Sequence, residues 1–231
     1  DNRGLIAYYY PHGLVTNLDG FEVFCAASGL ALAAFANNDN VAYPWYAPAG
    51  PNRGVLTNSL SIKQVGFVEG DIGTSNVRFN RVRLNDVMKD ALYSDCNINP
   101  INDSLQYGIM VMGQKTRVTV GYDSALGRIN VARMVMYARR GLRKLLSRYL
   151  MEPNTDKTRK NVSAAVSSFL DNIKTKQGVY DYAILCDETN NTPDTIDRNE
   201  LMLAIALKPT KTIEFVYCDI TLVRTGDNIK F

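Results

Sequence analysis

Reaction chemistry in this chain would have to run through very few side chains. There is a single histidine, His12. A cysteine nucleophile at Cys25, Cys96, Cys186 or Cys218 would need it as base. A serine triad would need it too, and no G-x-S-x-G is present. His12 lies between Pro11 and Gly13, a setting that predicts a surface turn. The four cysteines are widely spaced with no C-x-x-C pair. That argues against structural zinc and for free buried thiols in a reducing compartment.

One cluster of carboxylates exists: Asp187, Glu188, Asp194, Asp197 and Glu200. It has enough oxygen for calcium but lacks the Asp-x-Asp-x-Asp-Gly loop. Its Asn, Thr and Pro neighbours suit turns and helix caps. The alternative is a small metal-dependent hydrolase built on residues 187–200. The run Ala47–Gly54, APAGPNRG, is the one phosphate-cradle candidate. It lacks G-K-[S/T], and its prolines remove the N–H donors such a cradle uses. Asn161-Val-Ser163 and Asn190-Asn-Thr192 match the glycosylation pattern, which matters only in a secretory context.

The remaining site is a basic helix. Arg133, Arg139, Arg140, Arg143, Lys144 and Arg148 lie off an apolar stripe, and no acidic residue occurs between Asp123 and Glu152. Such a row is either a solvated face or a contact for an acidic protein or nucleic acid. Aromatics that would stack bases are not interleaved with it, so direct nucleic-acid binding is not expected.

The elements that position these groups follow from periodicity. Val179–Asp187 and Leu201–Lys208 are short apolar runs separated by the turn-forming ETNNTPDTID, and Ile213–Val223 alternates as a third strand. Ile129–Leu150 predicts the longest helix, with Val131, Val135, Ala138, Leu142, Leu145 and Tyr149 as its stripe. Gly141 within it points to close packing. Lys157–Lys176 predicts the next helix, capped by Asn154 or Thr155 and stopped at Gly178. Upstream, Leu5–Tyr10, Gly20–Cys25 and Gly108–Met112 read as strands, the last pairing with Arg117–Val120. Ser61–Val82 alternates like a strand between glycines. Ser28 caps a helix over Gly29–Ala36 that Asn37–Asn40 ends, Leu84–Tyr93 forms another, and Tyr43–Gly54 is a structured, proline-rich loop. Helices with single stripes belong on one face of a sheet. The expected fold is α/β: two layers, a mixed β-sheet with helices packed on it.

The 231 residues suit one large domain or two small ones, and 46% apolar content supplies a core. A net charge of +3 makes no global demand for a nucleic-acid partner. No apolar run approaches the roughly 18–20 residues of a membrane span. The chain begins at Asp1 without Met and reads as mid-protein sequence.

Several segments, in order, resemble contractile tail sheath proteins of myophages. They are Ala26–Asn40 (AASGLALAAFANNDN), Ala47–Leu56 (APAGPNRGVL), Asn97–Ile101 (NINPI) and Ser124–Met134 (SALGRINVARM). Phe169–Lys174 (FLDNIK) and Cys186–Pro193 (CDETNNTP) follow. Prolines often precede the serine of the first segment, where this chain has Ala26 and Ala27. Sheaths of related contractile injection systems resemble it too.

The resemblance implies a structural subunit without cofactor or active site, of the sheath C-terminal domain type. Residues 1–103 would be the C-terminal part of the sheath core region. Residues 104–231 would be the C-terminal domain, with a terminal arm at about 222–231. Implied partners are further copies in a helical polymer, the inner tail tube, and baseplate and tail terminator proteins, with neither nucleic acid nor membrane. The setting would be a virion tail assembled in the bacterial cytoplasm. The resemblance places Arg139, Arg140, Arg143 and Lys144 toward the tube, and Leu222, Val223, Ile229 and Phe231 in a subunit-linking arm. The family's N-terminal part, including its linking arm, lies outside this sequence.

Overall fold

The computed structural model describes residues 6–57, 59–67, 77–118 and 125–214. The strands divide among three small sheets. The first is β1 (Tyr8–Tyr10), β6 (Ile98–Ser104) and β7 (Gly108–Val111), with β1 parallel and β7 antiparallel to β6. The second is antiparallel, ordered β3 (Glu22–Cys25), β2 (His12–Thr16), β4 (Ser59–Phe67) and β5 (Val77–Arg81). The third pairs β8 (Val179–Leu185) with β9 (Ala204–Pro209) antiparallel. The α/β class holds, and a mixed sheet is present in the first half.

The helix α1 (Ala27–Val41) lays Ala27, Leu30 and Ala34 on a core with Ile62, Ile101, Ile109 and Val111. It starts earlier and ends later than its sequence predicts. Its first turn is not capped by Ser28. The Ala27 N–H instead donates to His12 Nδ1 at 3.0 Å. His12 is therefore in strand β2, not in a surface turn. Asn37–Asn40 do not end α1, because tertiary partners hold them in the helix. Buried Asn38 donates to the Tyr43 carbonyl at 3.2 Å, and Asp39 accepts from Arg133. After α1 the proline-rich loop closes with α2 (Gly50–Arg53).

Between residues 84 and 95 the single predicted helix is two short pieces. Asn85 caps α3 (Asp86–Asp90) through Met88 N–H at 2.8 Å, and a π-turn follows over Ala91–Asp95. Leu84, Val87, Met88, Ala91 and Leu92 would share one face of that helix, but Val87 and Met88 are exposed, so it is not a core face. Strand pairing at Arg117–Val120 is absent from its described residues. Lys115 makes a lone bridge to Arg128 instead.

The second half rests on α4 (Ile129–Leu146, then a 3-10 turn Ser147–Tyr149) and α5 (Asp156–Thr175). With 18 and 20 residues, α5 and not α4 is the longer α-helix. Thr155 caps α5 by accepting from Thr158 N–H at 3.2 Å. Its end is turned by Gln177, at φ 62°, rather than by Gly178. Gly178 has a different duty, since a Cβ there would meet Ile173 at 2.5 Å and the Trp45 ring at 3.1 Å. Met134, Ala138, Val162, Val166, Leu170 and Ile173 form the core of this half with Val179 and Cys186. Of the third predicted strand, Ile213 and Glu214 are not in a strand, and the rest lies outside the described residues.

Candidate functional site

The stripe of α4 faces α5 and the β8–β9 pair, which leaves its basic residues outside. Arg139, Arg140, Arg143 and Lys144 are all exposed. Among the described residues, none of the four meets a carboxylate at ion-pair distance. Arg133 is different. It grips both oxygens of Asp39 at 2.6 Å and lies 4.9 Å from the Phe35 ring centre, tying α4 to α1. Among the described residues, the row of six cations is thus one internal tie and an outer set without ion pairs.

Arg139 and Arg143 flank an apolar groove of about 620 Å3. Its lining includes Val135, Leu142, Leu146 and Leu150 of the α4 region, and Ile205 and Leu207 of β9. Among the described residues, two helices lie over a sheet of two strands, β9 pairs only with β8, and part of the α4 stripe has no strand beneath it. Backbone groups on an unpaired strand edge can bond to another strand.

The acidic loop is stitched to the ends of β8 and β9. Asp187 Oδ1 accepts from Thr189 N–H at 2.9 Å and from its hydroxyl at 2.5 Å. Those bonds, the hydroxyl's first, hold the carboxyl below the usual carboxylate range against an opposing desolvation effect. Asn190 donates to the Leu185 and Met202 carbonyls at 2.8 and 3.0 Å. Buried Asn191 exchanges bonds with Met202, donating at 2.9 Å and accepting at 2.7 Å. Asp194 and Asp197 sit in the short α6 (Pro193–Asp197). Among the described residues, no three His, Cys, Asp or Glu side chains gather to hold a metal.

Glu214 was not singled out in the sequence and proves structural. It accepts from Arg128 through both carboxylate oxygens, at 2.5 and 3.0 Å, and from Gln114 at 3.1 Å. Burial first, and then this carboxylate, push the neighbouring Tyr93 phenol well above its ordinary range. A lone glutamate after a lysine-rich turn carries no signal of such a role. The arm residues Leu222, Val223, Ile229 and Phe231 lie outside the described residues.

Among the described residues, then, a basic face without ion pairs lies beside an apolar groove and a strand edge without a partner. Residues 122–222 match the phage tail sheath C-terminal domain, and the homologues of this chain are tail sheath proteins. The tail sheath protein of Vibrio phage KVP40 is 34% identical over 181 residues, covering 78% of this chain and 24% of that protein. That of Enterobacteria phage T4 is 29% identical over 191 residues, covering 83% and 26%. The chain thus spans about a quarter of the length of these relatives. The fold is similar to a chain in the anti-feeding prophage baseplate, with TM-score 0.77, 21% identity, and 96% and 55% of the two chains covered. It also resembles a chain of the sheath complex of an extracellular contractile injection system in its contracted state. There the TM-score is 0.73 at 19% identity, with 94% and 56% covered.

Proposed function

We propose that this chain is part of a subunit of a contractile phage tail sheath. The subunit polymerises around an inner tail tube and contracts to drive the tube through the host envelope. The observation that carries this reading is the β9 edge, which has no second partner among the described residues, beside the apolar groove on α4, in a chain whose homologues are tail sheath proteins. A strand from a neighbouring copy would complete the sheet, and main-chain bonds would hold copies together while their bodies turn.

The tube is the proposed partner of Arg139, Arg140, Arg143 and Lys144, and residues 222–231 are the proposed linking arm. The remaining contacts are the baseplate and terminator proteins at the tail ends, in a virion tail assembled in the bacterial cytoplasm. No step calls for a cofactor, since the work would come from energy stored on assembly. A bacteriocin-like injection system is the second reading, favoured by the likeness to injection-system chains.

Electron microscopy of the full-length protein expressed alone tests the proposal. Tubular polymers are expected. A protein that stays monomeric at every concentration, alone and with tube protein, would refute it.

A further inference from the structure

Each half of the chain has its own core, yet the second core takes one of its buried side chains from the first half. Trp45, the sole tryptophan, follows α1 but belongs to the α4–α5 core with Met134, Ala138 and Ile173. Its ring stacks on Tyr43 at 5.0 Å and 12°, and meets Tyr137 of α4 edge-on at 5.3 Å. Its Nε1–H donates to the Lys176 carbonyl at 2.8 Å. That carbonyl ends α5 and has no partner within the helix. Next to it the Tyr46 hydroxyl bonds Gln177 at 3.1 Å, and the Lys176 ammonium lies 4.7 Å from the Tyr43 ring centre. Gly178 leaves the space the indole fills.

Further ties join the same halves. Asp39 of α1 holds Arg133 of α4, Gln114 donates to Glu214, and the backbone of 114–116 bonds that of 127–129. The Asp39–Arg133 pair is polar and partly solvated, whereas Trp45 is enclosed. A large, rigid aromatic in a fitted socket fixes orientation better than an exposed ion pair does.

We propose that the 43–48 loop is a latch: Trp45 completes the α4–α5 core and locks it to the α1 region, so the two halves unfold and move as one body. The proposal does not depend on the sheath reading. It has two consequences. A domain cut at residue 104 or 122 loses the indole and is left with a cavity in its core. In any assembly this chain forms, bending between subunits falls to their links and not to a hinge between these halves.

Because Trp45 is the only tryptophan, its fluorescence reports the latch directly. In denaturant, its emission and the far-UV circular dichroism of the intact chain are expected to change in one coincident transition. Trp45→Ala is expected to split the calorimetric transition in two. Trp45→Phe, which keeps the ring contacts but not the Nε1 bond, is expected to lower one transition without splitting it. A single transition in Trp45→Ala, or emission that shifts in wild type before helix is lost, overturns the proposal. Should Trp45→Ala not fold, native-state hydrogen exchange on the unaltered chain decides. Amides of 98–111 and 162–173 are expected to share one opening constant, and a difference beyond about tenfold overturns it.

Discussion

Gly141 sits inside α4 where the Phe169 ring of α5 covers it, and a Cβ there would collide with that ring. Alanine is favoured over glycine in a helix by about 1 kcal/mol. Overpacking a fitted contact costs about 1–3 kcal/mol, and the ring is rigid, so the clash wins. Gly141→Ala is expected to lower stability by roughly 1 kcal/mol, a fall in Tm of roughly 2–4 °C. Thermal melting that shows no change or a gain would mean the helices part freely at this point. Asp187 offers a second test through its depressed carboxyl. A depressed carboxyl contributes stability above its unfolded pKa and loses it as pH falls through its folded one. The gap in Tm between wild type and Asp187→Asn is therefore expected at neutral pH, closing in acid below the usual carboxylate range. A gap that persists unchanged in strong acid would show that ionisation is not its source. Gly141 was legible in the sequence because a glycine that interrupts a strong helical stripe points to a close approach by a neighbour. His12 was not, because its capping of α1 joins positions that only the folded backbone brings together.

Among elements, α4 and α5 were the easiest to read, since a long stripe at helical period has one good interpretation. Their ends were less so. Asn38 and Asp39 look like a helix stop, and only a buried bond and the Arg133 ion pair explain why α1 runs past them. The division into three sheets was equally hidden, because strand pairing is set by contacts distant in sequence. The basic row was visible, but its split, among the described residues, into a paired Arg133 and an outer set without ion pairs was not. That split selects the test. Arg140 and Arg143 are exposed and take no part in the α4 core, so reversing both to Glu is expected to leave the fold intact. Co-assembly with tube is expected to fall and to lose its salt dependence, since rim charges govern encounter and register. Normal assembly after the reversal would show that this face meets solvent or another partner.

At the scale of the whole molecule, the question is what covers the groove beside β9. Its apolar lining favours a strand with one apolar face, and β9, paired only with β8 among the described residues, offers the backbone edge to hold it. The terminal stretch of this sequence suits such a role in a neighbouring copy. Apolar residues run to Val223, the composition of Arg224–Asn228 suits a turn or hinge, and Ile229, Lys230 and Phe231 resume alternation. Each main-chain bond added at an edge contributes about 0.5–1.5 kcal/mol, so several are needed to link copies. Removing the residues after Leu222 from the full-length protein takes the proposed arm away and leaves the cores of both halves in place. Folded, soluble monomers that form no tubes are expected, with circular dichroism unchanged and electron micrographs empty of polymer. Tubes of normal length from that truncation would place the link between copies elsewhere, while a truncated chain that no longer folds would assign those residues to its own sheet.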